Sequence, residues 1–117
     1  MCEEVSRSPR FQEVTGLAEA SRRKCRRFDP DDDPAADAVA GVRPLVRVYV
    51  ECRRDGVELS AVERSLLAGA INDWLRAYAA ARDLPPFDGT AFSVHEVAME
   101  YARVGDLRAT LDRLLEA

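Results

Sequence analysis

Five of the six residues from Arg22 to Arg27 are basic: Arg22, Arg23, Lys24, Arg26 and Arg27. Arginine holds phosphate or carboxylate oxygens two at a time, so the run reads as a contact for a nucleic-acid backbone or for an acidic partner. Arg53 and Arg54 make a second, smaller basic site. A plainer electrostatic reading competes with this. Residues 1–27 carry seven basic and four acidic side chains, and residues 28–42 carry five aspartates and no base. Two such neighbours can neutralise each other.

Other reactive residue types are sparse. Cys25 sits inside the basic run, where cations can lower a thiol pKa and make it nucleophilic. It also falls on an apolar stripe with Phe28, which reads as simple burial. His95 is the single histidine and stands in the first turn of an expected helix, an exposed position without zinc-ligand spacing around it. Asp29, Asp31, Asp33 and Asp37 match the first, third, fifth and ninth positions of a calcium-binding EF-hand loop. The sixth position, which requires Gly, is Pro34, and the twelfth, which requires Glu, is Ala40. The aspartates therefore read as an acidic linker that caps the following helix. No GxSxG, HExxH or phosphate-cradling glycine loop occurs. These residues imply no enzyme, no cofactor, no metal and no evident small-molecule substrate.

Composition narrows the classes further. The 117 residues are 47% hydrophobic and 32% charged, with a formal net charge of −4, ordinary values for one soluble domain. An acidic surface argues against non-specific binding of nucleic acid by the whole molecule. Lys24 is the only lysine among 17 basic residues. That bias reads as the codon usage of a high-GC, bacterial genome, so the arginine excess is not by itself a phosphate-binding signal. Cys2, Cys25 and Cys52 are odd in number and widely spaced, which fits free thiols in a reducing cytoplasm. No apolar run approaches the roughly 20 residues of a membrane span, and the N-terminus lacks the apolar stretch of a secretory signal.

The elements that must position these residues follow from periodicity. Residues 1–8 read as a flexible tail. Ser8-Pro9 then opens a helix over about 9–27, with Phe11, Val14, Leu17, Ala18 and Cys25 on one stripe. The basic run covers the opposite arc, placing Arg22, Arg23, Arg26 and Arg27 outward. The acidic linker at 29–34 stops that helix. From Asp33-Pro34, helical spacing continues through Val42, Leu45, Val46, Tyr49 and Cys52, although Pro44 should kink or divide the helix. A short β-hairpin over 45–59 competes, because LVRVYVEC alternates and Asp55-Gly56 is a turn signal. Ser60–Glu63 is a capping box that opens a long central helix over 61–83. It carries Leu66, Leu67, Ala70, Ile71, Trp74, Leu75 and Tyr78 on a wide apolar face, and Ser65, Asn72, Asp73, Arg76 and Asp83 opposite. Leu84-Pro85-Pro86 ends it, and a turn through 87–90 follows. Ser93–Glu96 is a second capping box, with Phe92 placed to staple onto Val97. Gly105 breaks this helix and Asp106 caps a last one that buries Leu107, Leu111, Leu114 and Leu115.

Residues 93–117 are similar to a helix-turn-helix, with Val97-Ala98 in the first helix and Leu107–Leu115 as the second. Their spacing is about one helical turn longer than the compact form. The same segment resembles one tetratricopeptide repeat, with Val94, Val97, Ala98, Tyr101, Leu114 and Ala117 at packing positions and Thr110 where that motif prefers Ala. What the two resemblances share is a helical hairpin. The expected fold is thus a single all-α domain of four to five helices, over 9–117, around 61–83. The expected function is a non-catalytic protein–protein interaction module, a small cytoplasmic adaptor, regulator or assembly subunit that binds a protein partner or itself as a homodimer. The alternative is a nucleic-acid-binding regulator. In either case the candidate contacts are Arg22, Arg23, Lys24, Arg26, Arg27, Arg53 and Arg54.

Overall fold

The computed structural model describes residues 9–85 and 92–116. The expected tail, the turn through 87–90, Cys2 and Ala117 lie outside the described residues. The described chain forms helices α1 (Pro9–Arg26), α2 (Pro34–Arg54), α3 (Ala61–Ala81), α4 (Val94–Val104) and α5 (Leu107–Glu116). No strand occurs among the described residues. None of these helices is long and apolar enough to cross a membrane.

The start signals of α2, α3 and α4 and the stop at Gly105 behave as the sequence predicts, while the Ser8 cap expected for α1 and Pro86 lie outside the described residues. Ser60 and Ser93 accept from the amides of Glu63 and Glu96, and each Glu side chain accepts from the Ser amide in return. Gly105 takes a φ of 86° and donates its N–H to the Tyr101 carbonyl at 2.7 Å. That left-handed conformation is open to Gly at little cost. Asp33 accepts from the Ala36 amide and so caps α2.

Three expectations need correction. The β-hairpin over 45–59 does not form, because α2 runs unbroken to Arg54. Leu45, Val46, Val48, Tyr49 and Cys52 are all buried along a helical period. Two strands with no third would leave much of that apolar surface in water. Pro44 does not divide α2. Its ring and the Ala40 carbonyl that it leaves without an amide partner are on the exposed side, where water can satisfy the carbonyl. Asn72 is not outward but buried. Its side-chain amide donates to the carbonyls of Ala68 and Phe92 and accepts from the Phe92 N–H. Those three bonds offset the cost of burying it. They also fix the chain just before the Ser93 cap.

The core lies where α3 meets α1 and α2, with Leu67, Ile71 and Leu75 fully enclosed, and Val97, Leu107 and Leu111 extend it beneath α4 and α5. Trp74 is buried, as expected, and so links three helices. Its indole Nε1 donates to Ser21 Oγ on α1 at 2.8 Å, and Ser21 Oγ donates to the Gly41 carbonyl on α2 at 3.4 Å. A Cβ on Gly41 would stand 2.1 Å from Trp74 Cε2, so only Gly admits the ring there.

Candidate docking surface

The end of α1 holds the basic run, and its members have different surroundings. Arg22 does not point outward as periodicity suggested. It is half-buried against α3, with its Nη2 over Gly69 and its Nε 3.4 Å from an Asp73 oxygen. Gly69 leaves the space that lets a guanidinium settle there. Arg22 is therefore a bracket between α1 and α3. Arg23, Lys24, Arg26 and Arg27 are exposed and enter no ion pair among the described residues. Arg23, Lys24 and Arg26 lie in the last turn and Arg27 just past it, which also suits the negative end of the helix dipole.

The acidic linker does not neutralise them by contact. Asp29 Oδ1 accepts from the Asp31 amide at 2.9 Å and Asp33 caps α2, so these two carboxylates organise the turn. Between the end of α1 and the start of α2 lies an open cleft of about 270 Å³. Lys24 and Arg27 stand on its α1 side, Asp29, Asp32 and Asp37 line the linker and α2, and Phe28, Gly41 and an edge of Trp74 complete it. Phe28 meets Trp74 edge-on at 6.0 Å.

Arg53 and Arg54 are at the other end of α2, roughly 30 Å from its start by helix length, and the fold does not join them to the α1 run. Arg53 lies over the Tyr49 ring, 5.9 Å from its centroid, and donates to the Tyr49 hydroxyl at 3.4 Å. That hydroxyl is hydrogen-bonded to Nδ1 of His95, which is exposed as expected. Among the described residues no group of three or more His, Cys, Asp or Glu side chains is placed to hold a metal ion. Cys25 is not activated by its basic neighbours. Burial, reinforced by Asp73 and only partly opposed by Arg26, pushes its thiol from 9.0 up to about 11. Burial raises Cys52 as well.

Sequence reading named Arg54 but passed over Arg43 and Arg47, which stand with it. Arg43, Arg47 and Arg54 fall at i, i+4 and i+11 of α2, with Val50 between them, beside Tyr101 of α4. The spacing was visible, but it counts only once 45–52 is a helix, since a strand would put Arg54 on the face opposite Arg43 and Arg47.

The architecture and these surfaces define a small all-α domain with two basic, solvent-facing rims. The family model described as "Domain of unknown function (DUF8055)" matches residues 8–110, so the chain belongs to that family. No curated protein and no solved structure matches it.

Proposed function

We propose that the domain is a non-catalytic protein-interaction module that docks an acidic segment of a partner protein at the end of α1. The contacts are Arg23, Lys24, Arg26 and Arg27, with Arg22 serving the fold. The observation that supports this reading is that these four cations stay unpaired although five aspartates follow between residues 29 and 37. They are available to carboxylates from outside. The apolar edge of Phe28 and Trp74 beside them gives a docked side chain something to bury. Asp29, Asp32 and Asp37 share the cleft and the chain is net acidic, which disfavours a continuous polyanion such as DNA or RNA, whereas a protein segment can set a neutral or basic residue opposite those carboxylates. A second copy is one such partner, since each carries its own acidic segment. The free, unbridged Cys25 and Cys52 thiols support a reducing cytoplasmic setting, and the Arg-for-Lys bias supports a bacterial source.

The test replaces Arg23, Lys24, Arg26 and Arg27 by Glu, with a second variant carrying Gln at all four positions. Proteins captured by the wild-type domain are purified and titrated directly against the wild type and both variants. Binding that weakens with salt and is lost in the Glu variant supports the reading. DNA or RNA bound with a salt slope of about one per phosphate, and lost in the same variant, would replace it with the nucleic-acid reading. A captured partner that binds all three forms equally removes these residues from the interface.

A further inference from the structure

We propose that the groove between α2 and α4 receives an acidic amphipathic helix of a partner protein. Arg43, Arg47 and Arg54 fall within an arc of about 40° on α2 and span roughly 16 Å of its axis. All three are exposed, and none enters an ion pair among the described residues. Val50 lies between Arg47 and Arg54 in the same line and is 40% exposed. Val46 underlies it and Tyr101 of α4 lines the groove, which encloses about 270 Å³. A helical ridge of three cations around one apolar residue is the complement of a helix with acids at matching turns and one apolar anchor.

Two observations choose the occupant. Glu51 lines the same groove; it would repel a phosphate backbone, whereas a helix can set a neutral or basic residue opposite it. A second copy of this chain does not present the matching face, because none of its described helices carries acids at i, i+4 and i+11 in either direction. The partner is therefore a different chain. The inference shares with the preceding one only the idea that the domain docks protein, and it rests on separate residues.

The probe is a fluorescein-labelled peptide of about 18 residues, long enough to hold a helix, with Glu at i, i+4 and i+11 and Leu at i+7. A peptide with Lys in place of Glu and a DNA duplex are the comparisons, read by fluorescence anisotropy. The wild-type domain should bind the Glu peptide saturably, and binding should weaken as salt rises. Arg43→Glu, Arg47→Glu and Arg54→Glu together should weaken it about eightfold or more, since three exposed ion pairs are worth a factor of about two to five each. Val50→Asp should weaken it too, and the four-Glu variant of α1 should bind as the wild type does. Loss in the α1 variant alone would sink this reading; loss in the α2 variants alone supports it and leaves the α1 site to its own titration. Circular dichroism checks each fold, and a Gln set at the same three positions serves if the Glu set unfolds. The proposal fails if the Glu peptide does not bind, if the Lys peptide binds equally, or if the α2 variants change nothing. It also fails if the DNA duplex competes for the groove, or if sedimentation shows a dimer that the α2 variants dissociate.

Discussion

Gly41→Ala should destabilise the domain even though it places a better helix former in the middle of α2. By propensity alone the change favours the fold by about 1 kcal/mol. Against this, the new Cβ would stand 2.1 Å from Trp74 Cε2 and 2.5 Å from Cζ2 and Nε1. The ring is rigid and buried, so α2 and α3 must part or the indole must turn. Overpacking of this kind costs about 1–3 kcal/mol. A shifted indole also loses its bond to Ser21 Oγ, and a buried donor left unpaired costs about 1–3 kcal/mol. The net expectation is a loss of about 1–5 kcal/mol, on the order of 10 °C in Tm for a domain of this size at mid-range. Urea unfolding followed by far-UV circular dichroism measures it. Gly16→Ala is the control: it is exposed on α1 with nothing within 4 Å of the added Cβ, so it should stabilise by up to about 1 kcal/mol. In a Trp74→Leu background the clashing atoms are gone, and Gly41→Ala should turn from harmful to neutral or helpful. A Gly41→Ala domain as stable as the wild type, or the same penalty in both backgrounds, would refute the packing argument.

Trp74→Ala should cost about 3–5 kcal/mol by the same unfolding assay, because the ring is buried and joins α1, α2 and α3. Asn72→Ala removes three hydrogen bonds and leaves both Phe92 backbone groups without their side-chain partner; a loss of about 2–4 kcal/mol follows, with hydrogen exchange rising first around α4. Glu100 is held below 4.5 by the hydrogen bonds from Arg103 and then Arg113. Its folded pKa is lowered, so its contribution is full above pH 4.5 and fades as pH falls through the folded value. The stability gap between wild type and Glu100→Gln should close in that acid window, and a gap constant from pH 7 to pH 3 would contradict it. Cys25, raised from 9.0 to about 11, should alkylate on the order of a hundredfold more slowly than a free cysteine at pH 8. Its folded pKa is raised, so its contribution is intact below pH 9 and is lost as pH climbs toward 11. Mass-spectrometric labelling rates at single sites decide the point.

What the sequence determined by itself is local. Ser60 with Glu63, Ser93 with Glu96, Asp33-Pro34 and Gly105 set where helices start and stop, because caps and left-handed turns depend on residues within one helical turn of each other. The periodic apolar residues of α3 marked the central helix for the same reason. The tertiary structure decided everything that depends on a neighbour distant in the chain. Residues 45–52 are helix because their buried stripe meets α3 and α4, which local alternation cannot report. Asn72 looked like a surface residue until the Phe92 backbone, 20 positions away, supplied its partners. Arg22 had the same type and spacing as Arg23, Arg26 and Arg27. Only the contact with Gly69 and Asp73 separates the residue that holds the fold from those that face outward. Arg43, Arg47 and Arg54 became one surface only when α2 ran through Pro44 and α4 set Tyr101 beside them. The physical reason is that burial and charge pairing are properties of pairs, and a sequence fixes the near pairs while the fold chooses the far ones.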